Sequence, residues 1–167
     1  KIVFASTACM YADAQLYPTP EYDVGPDLPY GLSKWCAEKY IQLYAKHKKV
    51  PYTILMYENV YDHRDPKSVI RTFDTKQKEG SPIIVHGDGK QTRDYVHVQD
   101  VVEANMIVGN PTLSSNIYNI ATGIETSVNQ IVDTFNFATE DVAYEPGSNP
   151  GAARGCLNPS KARKDLG

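Results

Sequence analysis

The stretch that decides the fold runs from Gly31 to Met56, GLSKWCAEKYIQLYAKHKKVPYTILM. Ala37, Tyr40, Ile41 and Tyr44 recur at i, i+3, i+4 and i+7, the spacing of one apolar stripe on an α-helix. That spacing predicts a helix from Gly31 to about Lys48 with the stripe turned to the core. Pro51 stops it, and Tyr52-Thr53-Ile54-Leu55-Met56 is an apolar run of strand length. Upstream, Lys1-Ile2-Val3-Phe4-Ala5 has the same character. Strand, helix, strand is the repeating unit of a parallel sheet, because parallel neighbours need a crossover.

The rest of the chain extends the pattern. Residues 12 to 29 are rich in Pro, Asp and Tyr and read as a loop. A helix is expected from Val69 to Lys78, ended by Gly80, followed by a short strand at Ile83-Ile84-Val85 and a tight turn at Gly87-Asp88-Gly89. Val96 to Val98 reads as extended. Asp100 with Glu103 marks the start of a helix carrying Val101, Ala104 and Val108, and Ile117 to Ile120 is a further strand. Ser127 with Gln130 forms a capping box, and Val128, Ile131, Val132 and Phe135 line one face of the helix behind it. Pro146 to Pro159 is loop, with a short closing helix near Lys161. The class is therefore α/β with a mostly parallel sheet, and residues 62 to 99, too irregular for that layer, form a separate lobe.

With 167 residues, 41% apolar and 22% charged, the chain holds one domain, or a small core plus a lobe. A net charge of −3 with dispersed Lys and Arg gives no footprint for nucleic acid or an anionic membrane. No apolar run approaches a membrane span and no signal-peptide pattern opens the chain, so a cytoplasmic setting is expected. Cys9, Cys36 and Cys156 are far apart and read as reduced thiols, and the histidines are scattered, so no metal site is expected. The opening strand reads as buried and lacks an initiating methionine. It is expected in the middle of a sheet, as in a fragment or processed product.

Within the helix start, Tyr30-Gly31-Leu32-Ser33-Lys34 carries the clearest chemistry. A tyrosine titrates near 10 in water, so to act as a base at neutral pH its pKa must fall by about 3 units, about 4 kcal/mol. A lysine one helical turn away supplies a cation on the same face. The spacing alone is cheap, since Tyr44 and Lys48 repeat it on the same helix. Context favours Tyr30: Ser6 and Thr7 follow the first strand, and ligands of open α/β sheets bind beyond the carboxyl ends of strands. The plain alternative for Ser6 and Thr7 is a loop or cap role.

Five blocks in order, IVFASTACMYAD, PYGLSKWCAEKYIQLYA, PYTILMYENVYDHRDP, IIVHGDGKQTRDYVHVQDVVEANM and YNIATGIETSVNQIVD, resemble the NAD-dependent epimerase/dehydratase family. These are the extended short-chain dehydrogenase/reductases, and the pattern is nearest to their UDP-glucose 4-epimerase branch. The resemblance implies the C-terminal half of a Rossmann-type parallel sheet plus a small α/β substrate-binding lobe. It assigns residues 1–61 and 100–122 to the dinucleotide-binding domain and residues 62–99 and 123–167 to the lobe.

The resemblance also implies roles. Thr7 matches the catalytic Ser/Thr that hydrogen-bonds the reacting hydroxyl, Tyr30 the general base, and Lys34 the residue that holds the nicotinamide ribose of NAD. Tyr57 and Glu58 match positions beside the nicotinamide, and Asn59 a substrate contact. Arg93 matches an arginine on the nucleotide's diphosphate, a task its charged fork suits, with an ion pair to Asp94 or Asp100 as the alternative. The implied reaction is C4 epimerisation of a nucleotide sugar through a 4-keto intermediate. Partners are then a nucleotide-sugar substrate and a second copy docked along the helix from 31 to 48, where Trp35, Cys36 and Leu43 widen the apolar face.

The departures from the family pattern are specific. Ala8-Cys9 replace an Asp-Glu pair usual in the dehydratase branch, which disfavours elimination. Met56 stands for a usual Arg, Glu58 for a usual Phe, and Asp62-His63 for Gly-Pro. Asn149, a candidate substrate contact, and Ala152 stand where an Arg and an Asp usually hold the nucleotide. No Gly-rich turn opens a helix anywhere in the chain, so this polypeptide alone is expected not to bind NAD appreciably. Alternatives are a non-catalytic binding module and a family reductase or decarboxylase.

Overall fold

The computed structural model describes residues 1–11, 14–22, 25–66, 68–113, 115–146 and 154–167. In chain order the elements are β1 (Ile2–Thr7), a 3-10 turn (Ala8–Tyr11), α1 (Pro29–Lys48), β2 (Tyr52–Tyr57), β3 (Asn59–Tyr61), α2 (Val69–Glu79), β4 (Ile83–His86), β5 (Thr92–Arg93), β6 (Tyr95–His97), α3 (Val98–Val108), β7 (Asn116–Ile120), β8 (Thr126–Ser127), α4 (Val128–Phe135), β9 (Val142–Glu145) and α5 (Ser160–Leu166). Among the described residues, no helix is long and apolar enough to cross a membrane.

The alternation of strands and helices builds a parallel sheet in the order β1-β2-β7, with Phe4 opposite Ile54 and Ile54 opposite Ile117. Because side chains alternate along a strand, the central β2 serves two cores. Leu55 packs with Val101, Ala104 and Val108 of α3 and Ala162 of α5. Ile54 and Met56 pack on the other face with Met10, Tyr11, Leu157 and Trp35 of α1. Away from the sheet, Phe73 of α2, Ile83 and Val85 of β4, and Ile131 and Val132 of α4 form a third cluster. β4 pairs with β9, β5 with β8, and β3 with β6.

The α4 start is the capping box expected, with Ser127 accepting from the Gln130 amide at 3.1 Å and Gln130 accepting from the Ser127 amide at 2.7 Å. Three points bear on the sequence expectations. First, among the described residues β1 pairs with β2 alone, and Val3 is 37% exposed. Second, α1 buries Gly31, Glu38 and Ala45 instead of the tyrosine stripe, and Tyr40 is 70% and Tyr44 43% exposed. The physical reason is closeness of approach. A Cβ on Gly31 would lie 2.8 Å from the carbonyl oxygen of Cys9, and Glu38 is held by a hydrogen bond from Ser6. An aromatic row would not fit there. Trp35 packs into the second cluster, while Cys36 and Leu43 face solvent. Third, α3 is capped by His97, whose Nδ1 accepts from the Gln99 amide at 3.2 Å, so Asp100 falls inside the first turn. The buried positions of α3 are Val101, Ala104 and Val108, as the periodicity requires.

Candidate active site

Thr7 is the last residue of β1, at the carboxyl end of a parallel strand. Its Oγ1 accepts a hydrogen bond from the Cys9 amide at 3.2 Å. That bond uses an oxygen lone pair and leaves the hydroxyl hydrogen free to donate. The start of α1 brackets this hydroxyl on both sides. Ahead of Thr7 in the chain, the Lys34 ammonium donates to the Ala5 carbonyl at 3.0 Å and lies 5.2 Å from the Phe4 ring centre. Beyond Thr7, Gly31 presses against the Cys9 carbonyl. Tyr30, one residue before Gly31 and one turn before Lys34, is therefore carried to the strand end. Its side chain is 56% exposed, and its carbonyl accepts from Ser33 Oγ at 2.8 Å.

A cavity of about 480 Å³ opens beside this turn, a size suited to a small-molecule ligand. Ala8 and Cys9, which follow Thr7, and Asp27 and Leu28, which precede α1, line it on one side; Glu58, Asn59, Arg93 and Arg154 also line it. Three candidates from the β2 exit and β5 thus meet in one cavity, next to the Thr7 turn. Tyr57 does not join them. Its hydroxyl is bonded to the Asn105 amide of α3 at 2.7 Å, and its ring packs against the first cluster. Tyr57 and its neighbour Glu58 lie on opposite sides of the chain, while Asn59 reaches the cavity from the start of β3. Burial raises the Tyr57 hydroxyl pKa, and the Asn105 bond opposes that rise. Asn149 and Ala152 lie outside the described residues.

Arg93 is not tied up by the two carboxylates that could have claimed it. Asp94 is fully buried and accepts from the Thr122 amide at 2.8 Å, Thr122 Oγ1 at 2.6 Å and the Gly123 amide at 2.7 Å. Asp100 is exposed on α3 and makes no ion pair with Arg93 among the described residues. Arg93 donates to its neighbour's carbonyl, Thr92 O, at 2.7 Å and keeps further N–H groups for a ligand.

Two features go beyond the sequence reading: the presence of Arg154 and the titration of Glu58. Arg154 forms a two-pronged bond to Glu125 at 2.9 and 3.0 Å and covers the Tyr17 ring at 4.4 Å, so a second guanidinium stands fixed at the cavity wall. Its signal was an arginine alone in a stretch of Gly, Ala, Asn and Pro. Glu58 is the other. Burial, then the charge of Asp94, pushes its carboxyl up to about 7, against the opposing pull of Arg93 and the Asn59 amide. Cys156, also in the wall, is pushed up to about 12 by burial and then by Asp94, which leaves it an inert thiol.

The model of the NAD dependent epimerase/dehydratase family matches residues 1–121. The UDP-glucose 4-epimerase of Mycolicibacterium smegmatis is 31% identical over 176 aligned positions, covering 100% of this chain and 56% of that protein. The human dTDP-D-glucose 4,6-dehydratase is 35% identical over 136 residues, 78% of this chain and 38% of its own length. Among solved structures, the UDP-glucose 4-epimerase of Thermotoga maritima with UDP-glucose superposes with a TM-score of 0.84 at 30% identity, covering 97% of this chain and 55% of that one. The chain thus spans about half the length of the relatives it matches. Epimerases and dehydratases stand side by side among them. On the family match and these relatives, the chain belongs to the NAD-dependent epimerase/dehydratase family.

Proposed function

We propose that this chain carries the catalytic and substrate-binding part of an isomerase that epimerises C4 of a UDP-sugar through a 4-keto intermediate. The observation behind the reading is the bracketing of Thr7 by α1, with Lys34 held at Ala5 and Gly31 against Cys9. In this reading Tyr30 takes the proton of the C4 hydroxyl and later returns it to the same oxygen, when the 4-keto group is reduced from its opposite face. Thr7 donates a hydrogen bond to the same oxygen, fixing it in line with Tyr30. Lys34 stands one turn away on the same helix.

The family is NAD-dependent, and the residues present fit one end of that cofactor. Lys34 spends one N–H on Ala5 and has others for a ribose hydroxyl, and the exposed Tyr30 stands one helical turn away. When bound, the nicotinamide supplies hydride acceptance and return. A pyrophosphate cradle has no match among the described residues: Gly87 and Gly89 take positive φ, but the turn they make leads to β5 and not to a helix. Arg93 and Asn59 are proposed to hold the diphosphate and sugar, with Arg154 as a further cation at the wall. Tyr57 and Glu58 contribute to the nicotinamide pocket in this proposal, Tyr57 through its backbone alone, and Asn149 remains a proposed substrate contact.

The division into a sheet domain (1–61, 100–122) and a substrate lobe (62–99, 123–167) belongs to the same proposal, as does a homodimer formed along the outward face of α1. Ala8 and Cys9 after Thr7 offer no carboxyl acid or base for elimination, which favours epimerisation over dehydration. Incubating a chain that joins these residues to a Gly-rich NAD-binding half with NAD and UDP-glucose, and following the anomeric protons by NMR, tests this. UDP-galactose is the expected product. A 4-keto-6-deoxy sugar in its place would make the protein a dehydratase, and unchanged UDP-glucose would leave a binding module.

A further inference from the structure

Glu58 stands where the family pattern leads one to expect a phenylalanine, and it lines the cavity together with Arg93. A Cβ built on Gly155 would lie 2.9 Å from Glu58 Oε1 and 3.2 Å from Arg93 Cδ. The two side chains therefore close on one spot, and glycine is the residue that leaves them room. The groups around the Glu58 carboxyl are few. Arg93 attracts its charge, Asp94 opposes it, and the Asn59 amide supports it. Tyr95 and Cys156 are neutral neighbours whose own titrations are pushed up. Arg154 is matched by Glu125 and adds little net charge. Asp94 is held by Thr122 and Gly123 at the place where it opposes the charge of Glu58.

We propose that Glu58 is a specificity-determining residue of this cavity: it accepts a hydrogen bond from a hydroxyl or amine of a neutral or amino sugar and turns away a sugar bearing a carboxylate. The inference rests on reading the cavity as a nucleotide-sugar site. Its physical basis is that two carboxylates crowded into a partly dehydrated space cannot both stay ionised. The cheapest escape is for Glu58 to take up a proton. With its carboxyl at about 7 in the free protein, that uptake is nearly free at pH 6 and costs about tenfold in affinity at pH 8. The sugar hydroxyls of UDP-glucose incur no such penalty, and neither ligand changes its own charge between these two pH values.

The test is calorimetric titration with UDP-glucose and with UDP-glucuronate, at pH 6 and pH 8, on the protein and on Glu58→Gln. The preference for UDP-glucose is expected to grow by about tenfold from pH 6 to pH 8 in the parent and to stay within about twofold in Glu58→Gln. Glu58→Phe, which restores the usual family residue, is expected to give the same flat ratio, and it guards against a folding defect peculiar to the amide. A flat ratio in the parent, or a pH-dependent ratio that survives both substitutions, overturns the role of Glu58 while the nucleotide-sugar reading stands. Binding of neither ligand to any of the three proteins overturns both.

Discussion

Tyr30 and Lys34 stand one turn apart on α1, and Tyr44 and Lys48 repeat that arrangement at the far end of the same helix. At the first pair the lysine is bonded to Ala5, and the turn sits against the strand end that presents Thr7. At the second, Tyr44 stacks on Tyr40 at 6.4 Å and Lys48 is exposed, with no partner among the described residues. Identical spacing yields a candidate site in one place and surface in the other. The difference lies outside the helix, in the parallel strand whose end meets one turn and not the other. A motif of two residues becomes chemistry only when a third element fixes where it points.

The comparison can be broken most sharply at the two phenols. Tyr30→Phe, in a chain extended to include an NAD-binding half, is expected to lower epimerase turnover by about 10² to 10⁴-fold, the range for losing a general acid-base group, and Tyr44→Phe to leave it within about twofold. Equal effects of the two in a steady-state assay would erase the distinction. Next comes the close approach that carries Tyr30 to the strand. Gly31→Ala puts a methyl 2.8 Å from the Cys9 carbonyl. About 1–3 kcal/mol of stability should go with it, read by urea denaturation, whereas Leu43→Ala on the outward face should stay within about 0.5 kcal/mol. The smallest effect on the fold is expected from Leu43→Glu. It should leave the melting temperature unchanged and shift the mass seen by light scattering from dimer to monomer. A parent protein that is monomeric at every concentration would remove α1 as a dimer face.

Much of the frame was legible because its signals are local. Capping at Ser127 and Gln130, the period of Val101, Ala104 and Val108, and the apolar run from Tyr52 each depend on neighbours a few residues away. The orientation of α1 was not legible, because apolar residues surround that helix and the deciding facts are remote: the Ser6 hydroxyl that admits Glu38 to the interior, and the Cys9 carbonyl that demands Gly31. An apolar strand such as β1 does not declare which of its sides are paired. Of the candidate site, Glu58, Asn59 and Arg93 line one cavity, while Arg154 escaped because its partner Glu125 lies far off in sequence. The turning away of the Tyr57 side chain was not legible, because its partner Asn105 lies 48 residues on, in α3.

One feature of the wall carries a mechanical consequence. Asp94 is rooted between Arg93 and Tyr95, yet its carboxylate grips Thr122 and Gly123, just beyond the last strand of the parallel sheet. It acts as a rivet through two layers. A ligand that tugs on Arg93 therefore pulls on a backbone whose next residue is tied by three hydrogen bonds to the turn beyond the sheet.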